Sequence, residues 1–432
     1  MVKSLLISTY DIQGGAARAA YRLNKGLRNI GVDSKLLAAN KLTDDETVIA
    51  PQTPLSKGIT KLKPTLDTLP LKFFRYRHTS PYSIQWLGDA VPAKVAQIQP
   101  DIINLHWVNF GYLQIESISR LGKSIVWTLH DMWAFTGGCH YSFDCERYTN
   151  SCGACPQLQS NTNKDLSHWV WQRKQKAWRN LNLTIVTPSD WLAKCARSSS
   201  LLKDKRIEVI PNGIDTDKYK PINKSIARSI LGLPKDKRFI LFGAVNASSD
   251  GRKGFHLLEA VLQNLSQTDW ADNTELIIFG ASKSRNSPKL GFKSHYLGKL
   301  NDDISLALVY AAADVFVAPS IQENLANTVM ESLSCGTPCV AFNIGGMPDM
   351  IENLKNGYLA KPFEVEDLAR GIAWVLEGEE RFQKLSYCAR QKVEREFTQT
   401  IQAQNYLNLF NNILSTTNYV NTKDKLQVKN QM

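Results

Sequence analysis

A chain of 432 residues exceeds one ordinary hydrophobic core and predicts two domains of about 200 residues each. Its 43% hydrophobic and 21% charged residues, without low-complexity bias, exclude the disordered and fibrous classes. A formal net charge of +12 favours acidic partners: nucleotide phosphates, anionic lipid or nucleic acid.

The first apolar run, KSLLIST (3–9), is too short for a signal-peptide core and soon meets Asp11, so it predicts a buried strand. Gly14-Gly15 follows and opens a helix with Ala17, Ala20, Tyr21, Leu23 and Leu27 at helical spacing. Without a Cβ, the backbone there can approach a phosphate or sugar closely. GGAARA is not G-x-G-x-x-G, however, and a simple tight turn explains the pair equally well. The segment LPLKFFRYRHTSPYS (69–83) interleaves Lys72, Arg75, Arg77 and His78 with Phe73, Phe74 and Tyr76. It suits an anionic membrane interface, single-stranded nucleic acid, or a surface loop whose aromatics pack inward. No recognised nucleic-acid motif accompanies it.

Further buried strands are predicted at 101–107, 123–131, 183–189 and 206–212. After the second of them, GGCHYSFDCERYTNSCGACPQL holds Cys139, Cys145, Cys152 and Cys155. The Cys-x2-Cys at 152–155 has zinc-ligand spacing, so the four read either as a structural zinc site or as free thiols in an ordered loop. Cys195, Cys335, Cys339 and Cys388 lie in apolar patterns and are expected in the core.

After VIPNGIDTDKYKP (209–221) the pattern restarts, with strands predicted at 238–245, 275–282, 314–320 and 337–343. Strands alternating with helices predict an α/β chain of two doubly wound Rossmann-like domains, residues 1–213 and 214–397, facing a central cleft. A helix at 398–417 is expected to pack back on the first domain, followed by a flexible polar tail at 418–432. No run of eighteen apolar residues occurs, so the expected location is the cytoplasm, free or at the inner face of the membrane.

The most informative stretch is VAPSIQENLANTVMESLSCG (317–336). A strand stops at Pro319, a loop carries Glu323, and Asn327 or Thr328 is expected to cap a helix that Gly336 and Pro338 end. The amides at that helix start suit a phosphate. Glu331, one turn in, is placed to hold ribose hydroxyls, and Glu323 to bind the group hanging from the phosphate. The plainer alternative is that Glu331 offsets the helix dipole and Glu323 is solvated.

The run PSIQENLANTVMESLSCGTPCVAFNIGGMPDMI resembles the donor-binding signature of the family 4 retaining glycosyltransferases, which have the two-domain GT-B fold. Glu323 and Glu331 meet its E-x7-E spacing, and LGKL (297–300), LVYAAADVFVAPS (308–320), RKGFHLL (252–258) and the linker also resemble that family. The resemblance implies that Glu331 holds the ribose and Glu323 the 3- and 4-hydroxyls of the transferred sugar. It places the amides around Leu325, Ala326 and Asn327 against pyrophosphate or sugar, and Gly298 and Leu300 in the base-binding loop. Lys253 matches the lysine that stabilises the departing diphosphate. The family's arginine, five residues earlier, is missing: Ala244 and Ser248 stand where it would fall, which leaves Arg252 as the nearby replacement. Gly14 and Gly15 become a wall of the donor site. His130 falls where the family sets a histidine beside the sugar, and His106 is a weaker acceptor-side candidate. His130, Glu323 and Lys253 are thus the expected catalytic set.

The cysteine loop resembles inserts in a polysaccharide-biosynthesis branch of the family. The implied enzyme moves a sugar, with retention, from a nucleoside diphosphate sugar to a hydroxyl of a glycan or lipid-linked glycan. No Asp-x-Asp metal motif is read in the chain, which fits a metal-independent reaction, and no cofactor is expected for catalysis; a structural zinc is the one candidate metal. A sugar-nucleotide epimerase on the same architecture and a basic nucleic-acid-binding protein are the alternatives. A two-carboxylate glycosidase fits poorly, because both glutamates are explained as ligand-binding groups.

Overall fold

The structure, a computed structural model, describes all residues except 79, 244–249, 282–289, 301 and 430–432, with side chains described up to 416. Ala244 and Ser248 lie outside the described residues. The chain divides into two compact units, residues 1–210 with 400–432, and residues 211–399.

The first unit is built on β1 (Lys3–Tyr10), β2 (Asp33–Asn40), β3 (Val48–Ile49), β4 (Ile102–Leu105), β5 (Ser124–Thr128), β6 (Leu183–Thr187) and β7 (Arg206–Val209). They form one parallel sheet in the order β3-β2-β1-β4-β5-β6-β7. Helices cover both faces, so these strands are apolar almost throughout rather than alternating. Leu5, Ile7, Ile103 and Trp127 enter one core, while Leu6 and Val126 enter the opposite one. The second core is closed by Ala403, Tyr406, Phe410 and Ile413 from the helix Gln399–Lys429. That helix runs through most of 418–432, where a flexible tail was expected. No glycine or proline interrupts 399–429, so nothing in the backbone ends it earlier.

The second unit has β8 (Arg238–Gly243), β9 (Thr274–Phe279), β10 (Ser294–Tyr296), β11 (Val315–Ala318), β12 (Cys339–Phe342) and β13 (Gly357–Ala360). They too are parallel, in the order β10-β9-β8-β11-β12-β13. Phe239 and Leu241 face one core, Ile240 and Phe242 the other. Strand order reverses between β8 and β11, which opens a crevice at their carboxyl ends. The loops carrying Arg252-Lys253 and Glu323 leave from these two strands.

Several strands had no sequence signal. β2 reads SKLLAAN, in which leucine and alanine favour helix. Its pairing with β1 along seven residues overrides that preference.

Candidate functional site

In the second unit, a short turn over Gly251–Lys253 follows β8 and leads through Gly254 into the helix Phe255–Leu265. Arg252 and Lys253 point at the loop after β11. Lys253 Nζ lies 2.5 Å and Arg252 Nη1 2.9 Å from the same oxygen, Glu323 Oε2. Burial by itself pushes the Glu323 carboxyl up, but Lys253 and Arg252 outweigh it and hold the pKa at about 2. Glu323 is therefore ionised and shared between two cations. Arg252 also donates to Gln322 O at 3.0 Å and pairs with Asp250 at 3.2 Å. Arg252, the expected replacement for the missing arginine, thus stands in the same cluster as Lys253.

Glycines set the course of this loop. Gly254 has φ +69° and Gly345 has φ +52°, a region L-residues rarely adopt. A Cβ on Gly254 would come within 1.8 Å of Pro319 O, and one on Gly345 within 1.9 Å of Glu323 O. Gly346 N donates to Glu323 O at 3.1 Å. The turn at Gly345-Gly346 therefore packs directly behind the catalytic candidate.

The helix that follows spans Asn327–Ser334. Its N-cap is Ala326, with no side-chain cap, so the expectation that Asn327 or Thr328 caps it is corrected. Asn327 is instead the first helical residue, and its Oδ1 accepts from Asn212 Nδ2 at 3.4 Å. Leu325 and Ala326 bury their side chains in the core, which fixes the backbone amides of this turn in place. Glu331, the fifth helical residue, is buried and accepts from Tyr310 Oη at 3.1 Å. A buried carboxylate is costly without partners, and Glu323 is buried, so the solvated alternative fails for Glu323. Gly298, at φ +65°, accepts from Gly280 N at 2.7 Å, and Leu300 packs on the core beside it. The literal Asp-x-Asp of the chain, Asp215-Thr216-Asp217, is a turn: Asp215 Oδ1 accepts from the amides of Asp217 and Lys218.

In the first unit, Gly14 at φ +91° caps the helix Gly15–Asn29, and a Cβ there would meet nothing within 4 Å. Backbone conformation, not crowding, asks for glycine at this position. His130 follows β5, and its Nε2 lies 3.0 Å from Nδ1 of the buried His106, the two rings stacked. The Asn104 amide is satisfied with its oxygen 3.2 Å from His106 Nε2 and its nitrogen 2.9 Å from Thr128 Oγ1. His106 then donates from Nε2, and its Nδ1 accepts from His130 Nε2. Burial lowers the His130 pKa to about 4, so the ring is neutral at neutral pH. The sequence marked His106 only weakly; its place behind His130 needed the fold.

Beside this pair, His140 contacts Ser83 Oγ at 2.9 Å and Asp131 Oδ2 at 2.6 Å. The series has the outline of a nucleophile, base and acid, yet Ser83 is fully buried and Asp131 also holds Trp107 Nε1 and the Trp133 amide. It is a structural clasp on the loop after β5.

All eight cysteines are free thiols. Cys335 and Cys339 are buried as expected, whereas Cys195 and Cys388 are only half-buried. Among the described residues no three His, Cys, Asp or Glu groups already stand at ion-holding distance. In the 69–83 segment, Phe73 and Tyr76 are exposed while Phe74 packs on the core and Tyr82 is buried in it, so the inward-packing alternative holds for only part of the segment. The preceding helix Pro54–Asp67 was not anticipated. It exposes Leu55, Ile59, Leu62 and Leu66, at i, i+4, i+7 and i+11, with Lys57 and Lys61 between them. That spacing was present in the sequence as a signal. Among the described residues no helix is long and apolar enough to cross a membrane.

Two family models match the chain, one described as Glycosyltransferase Family 4 over residues 13–218 and one as Glycosyl transferases group 1 over 223–392. The chain is similar to the sulfoquinovosyl transferase SQD2 of Arabidopsis thaliana, at 27% identity over 320 residues, covering 72% of this chain and 56% of that one. It is 27% identical over 180 residues to the UDP-Gal:alpha-D-GlcNAc-diphosphoundecaprenol alpha-1,3-galactosyltransferase of Escherichia coli, covering 39% and 45%. The chain spans about half the length of these curated relatives. The solved structure of Anabaena HepE in complex with UDP-glucose shares the fold, with TM-score 0.60 and 18% identity over 96% of this chain and 100% of that one.

Proposed function

We propose that this chain, which belongs to the group 1 glycosyltransferases of family 4 with the GT-B fold, moves a sugar with retention from a nucleoside diphosphate sugar to a hydroxyl of a lipid-linked glycan. The observation that carries the reading is the cluster of Arg252, Lys253 and Glu323 at the strand-order reversal, one loop away from the buried Glu331. A departing diphosphate gains negative charge, and two fixed cations stabilise it more than they stabilise the intact donor. Lys253 and Arg252 take that role, helped by the amides around Leu325, Ala326 and Asn327 at the helix start. Glu323, held ionised between the cations, accepts hydrogen bonds from the sugar hydroxyls. Glu331 holds the ribose, and the loop at Gly298 and Leu300 meets the base.

In the first unit, His106 orients a neutral His130, a ring able to meet a hydroxyl without charge, and the backbone at Gly14-Gly15 is open to close approach. The acceptor hydroxyl attacks on the face from which the diphosphate leaves. Its proton passes to a diphosphate oxygen, so no protein base and no metal is needed. The named substrates of the galactosyltransferase relative, a UDP sugar and a diphosphoundecaprenol-linked acceptor, support a lipid-linked acceptor in cell-surface polysaccharide assembly. So does the apolar, lysine-flanked stripe of Pro54–Asp67, next to exposed Phe73, Tyr76, Lys72, Arg75 and Arg77, which suits peripheral contact with an anionic inner membrane face.

The test is a thermal-shift screen against UDP, GDP, ADP, CMP and their sugar conjugates, repeated with Glu331→Ala. A ligand at about 100 times its Kd adds about 2.7 kcal/mol. One base stabilising the wild type and not the variant is expected; no response to any nucleotide overturns the reading. The anomeric configuration of the product, read by NMR, then decides retention.

A further inference from the structure

We infer that Cys139, Cys145, Cys152 and Cys155 form a structural zinc site, with the buried Lys174 as its counter-charge. The inference is independent of the proposed transfer reaction. All four cysteines line one cavity of about 20 Å³, together with Tyr82 and Arg147. That is room for a single ion or water and little else. Four cysteines is the full donor set of a closed tetrahedral zinc site, and no open position is left for chemistry.

The backbone around the Cys-x2-Cys is constrained towards this cavity. Cys152, Gly153 and Ala154 have successive φ values of 49°, 105° and 41°. Two L-residues in the left-handed region, so close together, persist only where the surroundings fix them. Here the Gly153 amide donates to Ser167 Oγ at 2.9 Å, Ala154 N to Thr162 O at 2.8 Å, and Cys155 N to Asp165 Oδ2 at 2.8 Å. A Cβ on Gly153 would stand 2.1 Å from Asn163 O. The turn is therefore clamped from both sides, and both of its cysteines face the same void as Cys139 and Cys145.

Lys174 is the second, independent observation. It sits in the helix Leu166–Trp178, fully buried, with Nζ 3.7 Å from the centroid of the Trp133 ring. Nζ donates to Trp133 O and, at 3.0 Å, to Thr136 O, two carbonyls of the loop that leads into Cys139. No described carboxylate forms an ion pair with it. A buried ammonium whose hydrogen bonds go to carbonyls, with tryptophan rings but no ion-paired carboxylate beside it, is expensive. Four thiolates and Zn²⁺ leave a site of net charge minus two, which a lysine beside the loop compensates. On binding, each thiol gives its proton to solvent and forms one sulfur–zinc bond, with no change of oxidation state. In this structure the thiols line the wall of the cavity and do not yet meet at ion-holding distance, so binding draws the side chains inward.

The test uses the full chain, produced with zinc in the medium and dialysed without chelator. One zinc per chain by elemental analysis is expected, and cobalt exchanged for it is expected to show thiolate-to-cobalt charge-transfer absorption. Cys152→Ser with Cys155→Ser should lose both signals. Because that variant can fail to fold, an organomercurial titration of the wild type is run beside it: zinc should leave in step with modification of four thiols. No bound zinc and no cobalt band overturns the site, as does zinc retained by the double variant or after the four thiols are blocked. Lys174→Met should weaken zinc binding by about tenfold or more. Unchanged affinity in a folded variant removes the counter-charge part of the inference.

Discussion

Lys253 and Glu323 share a 2.5 Å ion pair, and Arg252 reaches the same carboxylate oxygen. In the proposed reaction the two cations serve the diphosphate and the carboxylate serves the sugar, so one substitution separates the roles. Glu323→Ala releases Lys253 and Arg252 from the shared carboxylate, with Arg252 still paired to Asp250, while removing the sugar contact. Calorimetry should find the nucleoside diphosphate bound as tightly as by wild type or more so, with binding of the sugar conjugate weakened and transfer reduced by at least about a hundredfold. Equal weakening for diphosphate and sugar conjugate would show that Glu323 acts only by holding the loop.

The same pair sets an acid limit. Glu323 has its pKa lowered from an ordinary 4.5 to about 2, so its contribution is present above about pH 4.5 and is lost as pH falls through about 2. The difference amounts to about 3 kcal/mol, a magnitude in line with breaking a buried pair. Subtracting the urea stability of Glu323→Gln from that of wild type at each pH isolates it from other carboxylates. The expected difference is flat from pH 7 to about 5 and then falls. A difference that stays flat to pH 3 would mean that the carboxylate is not held ionised by its neighbours.

The part of this site legible in sequence was the part carried by short-range spacing. Glu323 and Glu331 eight residues apart, Pro319 before them and Gly336 after them define a strand, loop and helix without tertiary information. Arg252 was visible only as a neighbour of Lys253; that it meets Glu323, 71 residues away, follows from β8 and β11 pairing side by side. His106 and Lys174 were obscure for the same reason, since what matters about each is its buried partner. Propensity failed at β2, where a helix-favouring SKLLAAN is held as a strand by β1. It failed again at Pro54–Asp67, an amphipathic pattern interrupted by Pro64.

Gly254 and Gly345 test how tightly the Glu323 loop is held. An alanine at either is strained at positive φ and drives its Cβ into a backbone carbonyl, that of Pro319 or of Glu323. Gly254→Ala and Gly345→Ala should each cost about 2–4 kcal/mol in urea melts, combining left-handed strain with overpacking. Gly298→Ala is the control, because its φ is +65° but nothing lies within 4 Å of the added Cβ. It should cost only about 1 kcal/mol. Equal losses at all three positions would remove the claim that the loop is wedged between the two glycines.

The helix Pro54–Asp67 and the 69–83 segment give the last prediction. Leu55 is 76% exposed, Phe73 89% and Tyr76 82%, an unusual amount of bare apolar surface in one stretch, and it is bordered by cations. On an anionic bilayer the aromatic and leucine side chains enter the headgroup region while each lysine or arginine adds about 1 kcal/mol. Replacing Lys72, Arg75 and Arg77 by glutamine should therefore cost about 3 kcal/mol, roughly a hundredfold in vesicle partitioning. Leu55→Ser with Leu62→Ser should weaken binding at every salt concentration, whereas the charge variant should differ from wild type mainly at low salt. Flotation with phosphatidylglycerol vesicles, compared with phosphatidylcholine alone, reads both effects. If neither variant changes flotation, the segment is not a membrane contact, and a lipid-linked acceptor loses its structural support in this chain.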